Sequence, residues 1–178
     1  MKTVFADSCY SLATGPIEIR RENLASPAAA QLIAALNAEL AARYPEEGAN
    51  HFRLDADEVT DGRGAFLVAY LGETPVGCGA VRRIEPHVAE IKRMYVAPEA
   101  RGRGVGHQVL VELEAVAREL GATRIVLETG PRQPEAIALY HRAGFSDIPL
   151  FGPYLASPHP ELSVCMEKKL GSAETCGT

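Results

Sequence analysis

Three glycines alternate with other residues in the segment Arg101-Gly-Arg-Gly-Val-Gly106, which lies between an apolar, strand-like run ending at Val96 and a long helical pattern. Glycine permits backbone conformations that a Cβ would forbid, so consecutive N–H groups can point into one concavity. The N-terminal end of the following helix favours an anion there. Because Arg101 and Arg103 strengthen that preference, the segment predicts a turn that binds a pyrophosphate.

The glycine spacing excludes two familiar phosphate-binding motifs. A dinucleotide-binding fold requires G-x-G-x-x-G, whereas position 107 is His, and a P-loop requires a Gly-Lys-Ser or Gly-Lys-Thr that does not occur. The remaining pattern, R-x-x-G-x-G after a strand, resembles the acetyl-CoA-binding motif of the GNAT acyltransferase superfamily. Taken alone, these six residues also suit a turn that only links a strand to a helix.

A second segment resembles the same superfamily. It comprises Leu127-Glu-Thr-Gly130, Gln133-Pro-Glu-Ala-Ile-Ala-Leu-Tyr140 and Arg142-Ala-Gly-Phe145, and it contains the pattern A-x-x-x-Y-x-x-x-G-F. The chain is therefore identified as a GNAT member. The resemblance implies an α/β fold in a single N-acetyltransferase domain over residues 1–178. Its central mixed, largely antiparallel sheet would be flanked by helices and splayed at the strand before the glycine turn, with residues 1–14 and 171–178 as loosely ordered tails.

Hydrophobic periodicity and turn residues predict the elements that position these segments. Strands are expected over residues 17–20, 65–71, 75–84, 88–96, 124–128 and 162–166. Helices are expected from a Ser26 cap to Tyr44-Pro45, over residues 105–120, and over residues 134–143. Residues 45–64 are expected to form a loop or short helix.

The resemblance assigns a cofactor site. The pantetheine arm of acetyl-CoA would pair with the backbone of Met94, Tyr95 and Val96, on the strand before the turn. The pyrophosphate would rest on Arg101, Gly102, Arg103, Gly104, Gly106 and His107, and the second segment would contribute Gln133 and Ala136.

Acyl transfer to an amine needs a base, because an amine with a pKa of about 10.4 is protonated near neutral pH. Glu90 is the candidate, since its place in Glu90-Ile-Lys-Arg-Met-Tyr-Val96 resembles that of a catalytic glutamate in some GNAT members. Alternation predicts that Glu90 shares one strand face with Lys92, Met94 and Val96. The alternatives are a water molecule as the base and a cross-strand pair of Glu90 with Arg82 or Arg83.

Tyr140 is the candidate acid. A phenol within reach of the departing sulfur can supply its proton, and the family commonly uses a Tyr at this place in the second motif. The alternative is an aromatic side chain that only packs beside Ile137 and Phe145. Direct transfer without an acylated cysteine agrees with the lack of a Cys/His arrangement in the sequence.

The acceptor is expected to be a primary amine of a small molecule. By family resemblance, its pocket would involve Tyr44, Glu46, Glu47, His51, Phe52, Glu85, His87, Phe151 and Tyr154. The three glutamates would attract a cationic amine, and the two aromatic residues Phe151 and Tyr154 would cover an apolar portion. The alternatives are a protein or peptide amine as acceptor, and a non-catalytic acyl-CoA sensor.

Composition limits the other function classes. The formal net charge of −5 argues against general nucleic-acid binding, and no apolar run reaches membrane length. We therefore expect a cytoplasmic protein without nucleic-acid or membrane partners, and a homodimer is left open. Cys9, Cys78, Cys165 and Cys176 form no C-x-x-C pair, so we expect no metal; Cys78 and Cys165 are expected in the core.

Overall fold

The structure is a computed structural model that describes residues 15–47 and 54–171. The strands in these ranges are β1 (Ile17–Glu22), β2 (Gly64–Leu71), β3 (Thr74–Glu85), β4 (Val88–Val96), β5 (Arg124–Thr129), β6 (Ser146–Ile148) and β7 (Val164–Lys169). The α-helices are α1 (Pro27–Arg43), α2 (Val105–Glu119) and α3 (Pro134–Arg142). The expected tails over residues 1–14 and 171–178 lie outside the described residues, except for Gly171.

The strands of this part of the chain form one sheet in the order β1-β2-β3-β4-β5-β7-β6. β4 and β5 run parallel, and every other neighbouring pair is antiparallel. This confirms the predicted α/β architecture of a largely antiparallel mixed sheet flanked by helices. In the described ranges, none of the helices combines the length and apolar character that crossing a membrane requires.

Helix α1 begins and ends where the sequence predicted. The Ser26 hydroxyl accepts a hydrogen bond from the Ala29 N–H (3.2 Å), and Pro27 occupies the first helical turn. Tyr44 caps the C-terminal end, and Pro45 follows it.

The chain departs from the predicted elements mainly near its C-terminal end. The last strand was expected over residues 162–166, but Leu162 ends a 3-10 turn that begins at Pro160, and β7 starts only at Val164. Strand β6 was not predicted, because three residues are too few for a period-two pattern to be recognised.

Alternate residues of β2 enter two separate cores. Ala65, Leu67, Ala69 and Leu71 pack with α2 and α3, whereas Phe66, Val68 and Tyr70 pack with α1. Because neighbouring strand residues point to opposite faces, α1 covers one face of the sheet and α2 with α3 covers the other. Cys78 and Cys165 are buried, as predicted, while Cys9 and Cys176 lie outside the described residues.

Strand β4 contains a β-bulge that corrects the predicted alternation. Cys78 of β3 lies opposite Tyr95 and Ala80 lies opposite Lys92, so three steps along β4 match two steps along β3. Arg93 lies at the bulge with φ 58°, in the left-handed region. Ile91 before the bulge and Met94 and Val96 after it all pack into the α2 and α3 core. Glu90 and Lys92 therefore point to the opposite face from Met94 and Val96, and the prediction of one shared face was wrong.

Candidate active site

A cleft opens where β4 and β5 separate. The two strands pair over residues 88–91 and 124–127 and no further. A cavity of about 1020 Å³ lies beyond this point. On its other edge β4 remains paired to β3, through Tyr95 with Cys78 and Val96 with Gly77. The backbone of residues 94–96 thus has one edge in the sheet and one edge toward the cleft, where a ligand can hydrogen-bond to it.

The glycine turn borders this cleft. Gly102 (φ 75°) and Gly104 (φ 82°) adopt left-handed conformations, as predicted, and Gly104 precedes α2 without a side-chain cap on the helix. Gly106 allows close packing of α2 against α3, because an added Cβ there would lie 3.3 Å from Leu139 of α3. The N-terminal end of α2 is therefore open to an anion.

The expected cofactor residues divide into two groups. The lining of the cleft includes Met94, Tyr95, Val96, Arg101, Gly102, Gly104, Gly106, His107, Gln133 and Ala136. Arg103 is exposed and does not line it. The Arg101 guanidinium hydrogen-bonds to the Val96 carbonyl (3.0 Å) and to Glu39 of α1 (2.6 Å), so it is held at the edge of the cleft.

Tyr140 of α3 faces the cleft and is buried, with 5% of its surface exposed. Its ring lies 5.8 Å from that of Phe145, so it also makes the packing contact that was the alternative to catalysis. Burial, and then the nearby Glu128, raise the pKa of Tyr140 above its ordinary value. Across the described ranges, no side chain is hydrogen-bonded to its hydroxyl. That hydroxyl is available to a ligand as a proton donor.

Glu90 lies within a buried ionic network. Its carboxylate accepts two hydrogen bonds from the Arg82 guanidinium (2.9 and 2.7 Å) and one from the Tyr154 hydroxyl (2.7 Å). Arg82 also contacts Glu58, and Lys92 donates to Tyr154 (3.0 Å) while its Nζ lies 3.5 Å from Glu90. The pairing with Arg82, left open by the sequence, is therefore present, and it occupies the Glu90 carboxylate with three donors.

Glu128 of β5 is a second carboxyl at the cleft, and sequence reasoning did not single it out. Burial raises the pKa of Glu128 to about 7, and the negative charge of Glu90 adds to this, whereas Ser163 and Lys92 act in the opposite direction. The available signal was an acid next to the apolar Ile125-Val-Leu127 run, because a buried strand rarely carries one. Glu128 has the pKa of a base that works near neutral pH.

The expected acceptor residues are not gathered at one place. Tyr44 and Tyr154 line the cleft, whereas Glu46, Glu47, Glu85 and Phe151 do not. Glu85 is exposed at the end of β3, Glu46 pairs with Arg132, and Phe151 packs edge-on against Tyr154 at 5.1 Å. His87 lies in the β3–β4 turn with Nδ1 3.1 Å from the Gly121 carbonyl, and His51 and Phe52 lie outside the described residues. The acids expected to attract a cationic amine thus lie away from the cleft.

The end of α1 is joined to the loop before α3. The Arg132 N–H donates to the Tyr44 hydroxyl (2.8 Å), and the Arg132 guanidinium donates to the Arg43 carbonyl (2.7 Å) and to Glu46 (2.6 Å). The Tyr44 hydroxyl fills the space that a side chain at Gly130 would need. We call these the α1–α3 contacts; they bound the cleft at Tyr44 and Gly130.

Comparison with known proteins gives consistent matches. A model described as the Acetyltransferase (GNAT) family matches residues 30–145. The IAA acetyltransferase of Azospirillum brasilense is 43% identical over 155 residues, which are 86% of this chain and 98% of that protein. A structure from Klebsiella pneumoniae, assigned as an acyl-CoA N-acyltransferase, is 35% identical with a TM-score of 0.73, covering 86% of this chain and 97% of that one. A GNAT family acetyltransferase from Elizabethkingia anophelis with acetyl-CoA bound shares the fold at 18% identity and a TM-score of 0.62, covering 86% and 98% of the two chains.

Proposed function

Because the chain belongs to the acetyltransferase (GNAT) family, we propose that it transfers an acetyl group from acetyl-CoA to the primary amine of a small molecule, by direct attack in a complex that holds both substrates. The observation that carries this proposal is that Glu128 and Tyr140 face the same cleft. Both groups have a raised pKa, and this suits them to opposite roles. The Glu128 carboxyl can act as a base near neutral pH, and the Tyr140 phenol can act as a proton donor.

The residues at the cleft fit acetyl-CoA. The uncapped end of α2 and the left-handed Gly102 and Gly104 suit its pyrophosphate. The edge of residues 94–96 that faces the cleft suits its pantetheine amides, although the Val96 carbonyl already accepts a hydrogen bond from Arg101. When bound, acetyl-CoA supplies the activated thioester.

Glu128 replaces Glu90 in this proposal as the group that takes the proton of the amine. The Glu90 carboxylate already accepts three hydrogen bonds, two from Arg82 and one from Tyr154, so its oxygens are engaged within the protein. At Glu128, burial outweighs the hydrogen bond from Ser163 and the charge of Lys92, and its pKa of about 7 places it where both protonation states are populated. Glu90 then acts as a positioning residue that holds Lys92 and Tyr154.

Tyr140 is proposed as the group that returns a proton, to the departing sulfur. Its raised pKa keeps the phenol protonated throughout the neutral range, so that it remains a donor. Glu128 and Tyr140 also influence each other electrostatically, since the charge of Glu128 adds to the shift of Tyr140. A non-catalytic acyl-CoA sensor would need neither group.

The α1–α3 contacts support a small acceptor over a protein. They bound the cleft at Tyr44 and Gly130, and Arg132 makes several of them at once. An extended peptide lying across this edge would have to displace these bonds, whereas a small amine can enter without doing so. The A. brasilense relative is named an IAA acetyltransferase.

Thiol release from acetyl-CoA tests the proposal. The protein is incubated with acetyl-CoA and a panel of small primary amines, unstructured peptides and a no-acceptor control, and free CoA thiol is measured. We expect release with at least one small amine and a loss of it in Tyr140→Phe. Release with peptides only would make the protein-modifying alternative correct. Stabilisation by acetyl-CoA without release for any acceptor would favour the sensor.

A further inference from the structure

Arg93 is a charged cleft residue that the proposed chemistry does not use. It lies at the β4 bulge, where its positive φ directs the chain differently from the strand on either side. Its guanidinium reaches α1, where Nη1 donates to the side-chain oxygen of Asn37 (2.8 Å). Both residues line the cleft on the face that α1 covers.

In the part of the chain that the structure describes, the Arg93 guanidinium has no carboxylate partner. Among residues 15–47 and 54–171, no acidic oxygen lies within 4.0 Å of it, and its hydrogen-bond partner is the neutral amide of Asn37. Two neighbouring cations do have an acidic partner: Arg101 pairs with Glu39, and Lys92 lies 3.5 Å from Glu90. Arg93 is also half-buried, and burial lowers its pKa from the ordinary value. A desolvated cation without a counterion is stabilised when a ligand brings an anion to it.

The surroundings of Arg93 indicate what accompanies that anion. Leu36 and Leu40 of α1 and the ring of Tyr154 contribute apolar surface to the same cleft. Glu128, the proposed base, lines the same cleft and would receive an amine. A ligand that satisfies all three features has an amine, an anion and an apolar portion.

We propose that the acceptor carries a carboxylate bound by Arg93, and is therefore an amino acid or a related amino carboxylate with an apolar side chain. This inference rests on the proposed function and adds the substrate class. A planar carboxylate matches the paired N–H donors of a guanidinium. The Asn37 amide keeps the guanidinium oriented by occupying one of its donors, which leaves the others for the ligand.

Binding of matched ligands to the complex of the protein with CoA tests this, independently of turnover. Leucine, methionine and phenylalanine are each titrated into this complex by calorimetry. Two analogues of each are titrated as well: its carboxamide, and the amine that lacks the carboxyl group. We expect at least one carboxylate to bind about tenfold or more tightly than its amide. If no amino acid binds better than its own carboxamide, the proposal is overturned.

Variants of Arg93 locate the preference. Arg93→Gln should reduce the ratio of carboxylate to carboxamide affinity about tenfold or more, and Arg93→Lys should restore part of it because the charge is kept. Arg83→Gln, an exposed arginine on β3, is the matched control and should leave the ratio as in the wild type. An unchanged ratio in Arg93→Gln, or a weakened affinity for CoA itself, would overturn the assignment. Binding with the expected preference but no thiol release would refute the proposed function and leave the carboxylate site standing.

Discussion

Tyr154 and Glu90, 64 residues apart in the chain, are joined by a hydrogen bond of 2.7 Å in which the phenol hydroxyl donates to the buried carboxylate. The bond ties the loop before β7 to the middle of β4. Lys92 donates to the same hydroxyl at 3.0 Å, so Tyr154 connects a cation and an anion that both lie in the sheet. The network is a structural support beneath the cleft.

Breaking this network should reduce stability. Glu90→Gln removes the buried counterion of Arg82, although Arg82 keeps its pair with Glu58, so the free energy of unfolding is expected to fall by about 1 to 3 kcal/mol. Tyr154→Phe removes one buried hydrogen-bond donor and should lower it by about 1 to 3 kcal/mol. Urea denaturation measures both. Glu119→Gln, which breaks the exposed pair with Arg21, is the control and should change the free energy by less than about 1 kcal/mol. If Glu90→Gln and Glu119→Gln changed the free energy of unfolding equally, the buried network would stabilise the fold no more than an exposed ion pair does.

The glycine turn can be tested with a pair of matched substitutions. Gly104 (φ 82°) precedes α2 and Gly121 (φ 78°) follows it, and neither has an atom within 4 Å of an added Cβ. Gly104→Val and Gly121→Val should therefore destabilise the protein similarly through backbone strain. Acetyl-CoA at a hundredfold excess over its Kd should stabilise the wild type and Gly121→Val by about 2.7 kcal/mol, and Gly104→Val much less. A full shift in Gly104→Val, measured by thermal unfolding, would contradict a role for the turn.

Tyr140→Phe should separate binding from chemistry. The ring and its contact with Phe145 are retained, so the affinity for acetyl-CoA is expected to remain while kcat falls about a hundredfold or more. Calorimetry gives the affinity and thiol release gives kcat. Tyr95→Phe is the comparison and should affect kcat much less. Tyr95 also lines the cleft, but it packs in the core with α1. Turnover at the wild-type rate would reduce Tyr140 to a packing residue.

Glu128 should appear in the pH dependence of the reaction. As the carboxyl loses its proton near pH 7 it becomes the base, so kcat/KM should rise through about that pH. An acceptor whose amine titrates above pH 9 keeps the two ionisations apart. Glu128→Gln should remove this limb and lower kcat/KM by about a hundredfold or more.

Glu90→Gln provides the contrast in the same experiment. The negative charge of Glu90 contributes to the raised pKa of Glu128, so its removal should shift the rising limb to lower pH without removing it. If Glu90→Gln abolished the limb and Glu128→Gln kept it, the two roles would have to be exchanged.

Glu128 should also make stability depend on pH. In the folded protein its carboxyl binds a proton up to about pH 7, whereas in the unfolded chain it releases the proton near its ordinary pKa of 4.5. Its contribution is therefore most favourable below about pH 4.5 and is lost as the pH rises through 7. Glu128→Gln avoids this loss, so its stability relative to the wild type should increase between pH 5 and pH 8, by about 3 kcal/mol at most. Urea denaturation at the two pH values measures it, and Glu112→Gln, on the exposed side of α2, should show no such trend.

The sequence predicts the features that depend on neighbouring residues. Ser26 and Pro27 determine where α1 begins, and Gly102 and Gly104 adopt the left-handed conformations expected of an anion-binding turn. These features require no knowledge of which strands pair. The splay of the sheet was implied by the family resemblance and is present between β4 and β5.

The features that the sequence did not predict depend on distant parts of the chain. The bulge at Arg93 arises from the register between β3 and β4, which local alternation does not reveal. The raised pKa of Glu128 results from burial by other elements. Glu46 was expected at the acceptor site, but its partner Arg132 is supplied by a loop 86 residues away.

The bulge adds a single extra residue to β4, and the side chains before and after it have different roles. Before the bulge, Glu90 and Lys92 belong to the network that keeps the protein folded, and after it Met94 and Val96 belong to the ligand edge of the strand. Because Met94 and Val96 also pack into the core formed with α2 and α3, substitutions there act on the cleft and on the fold together. Deleting Arg93 would remove the bulge and leave Ile91, Met94 and Val96 on one face by regular alternation, so the core would be kept and the guanidinium lost. The bulge thus adds a cation to the lining of the cleft and leaves the core side chains of β4 where regular alternation would put them.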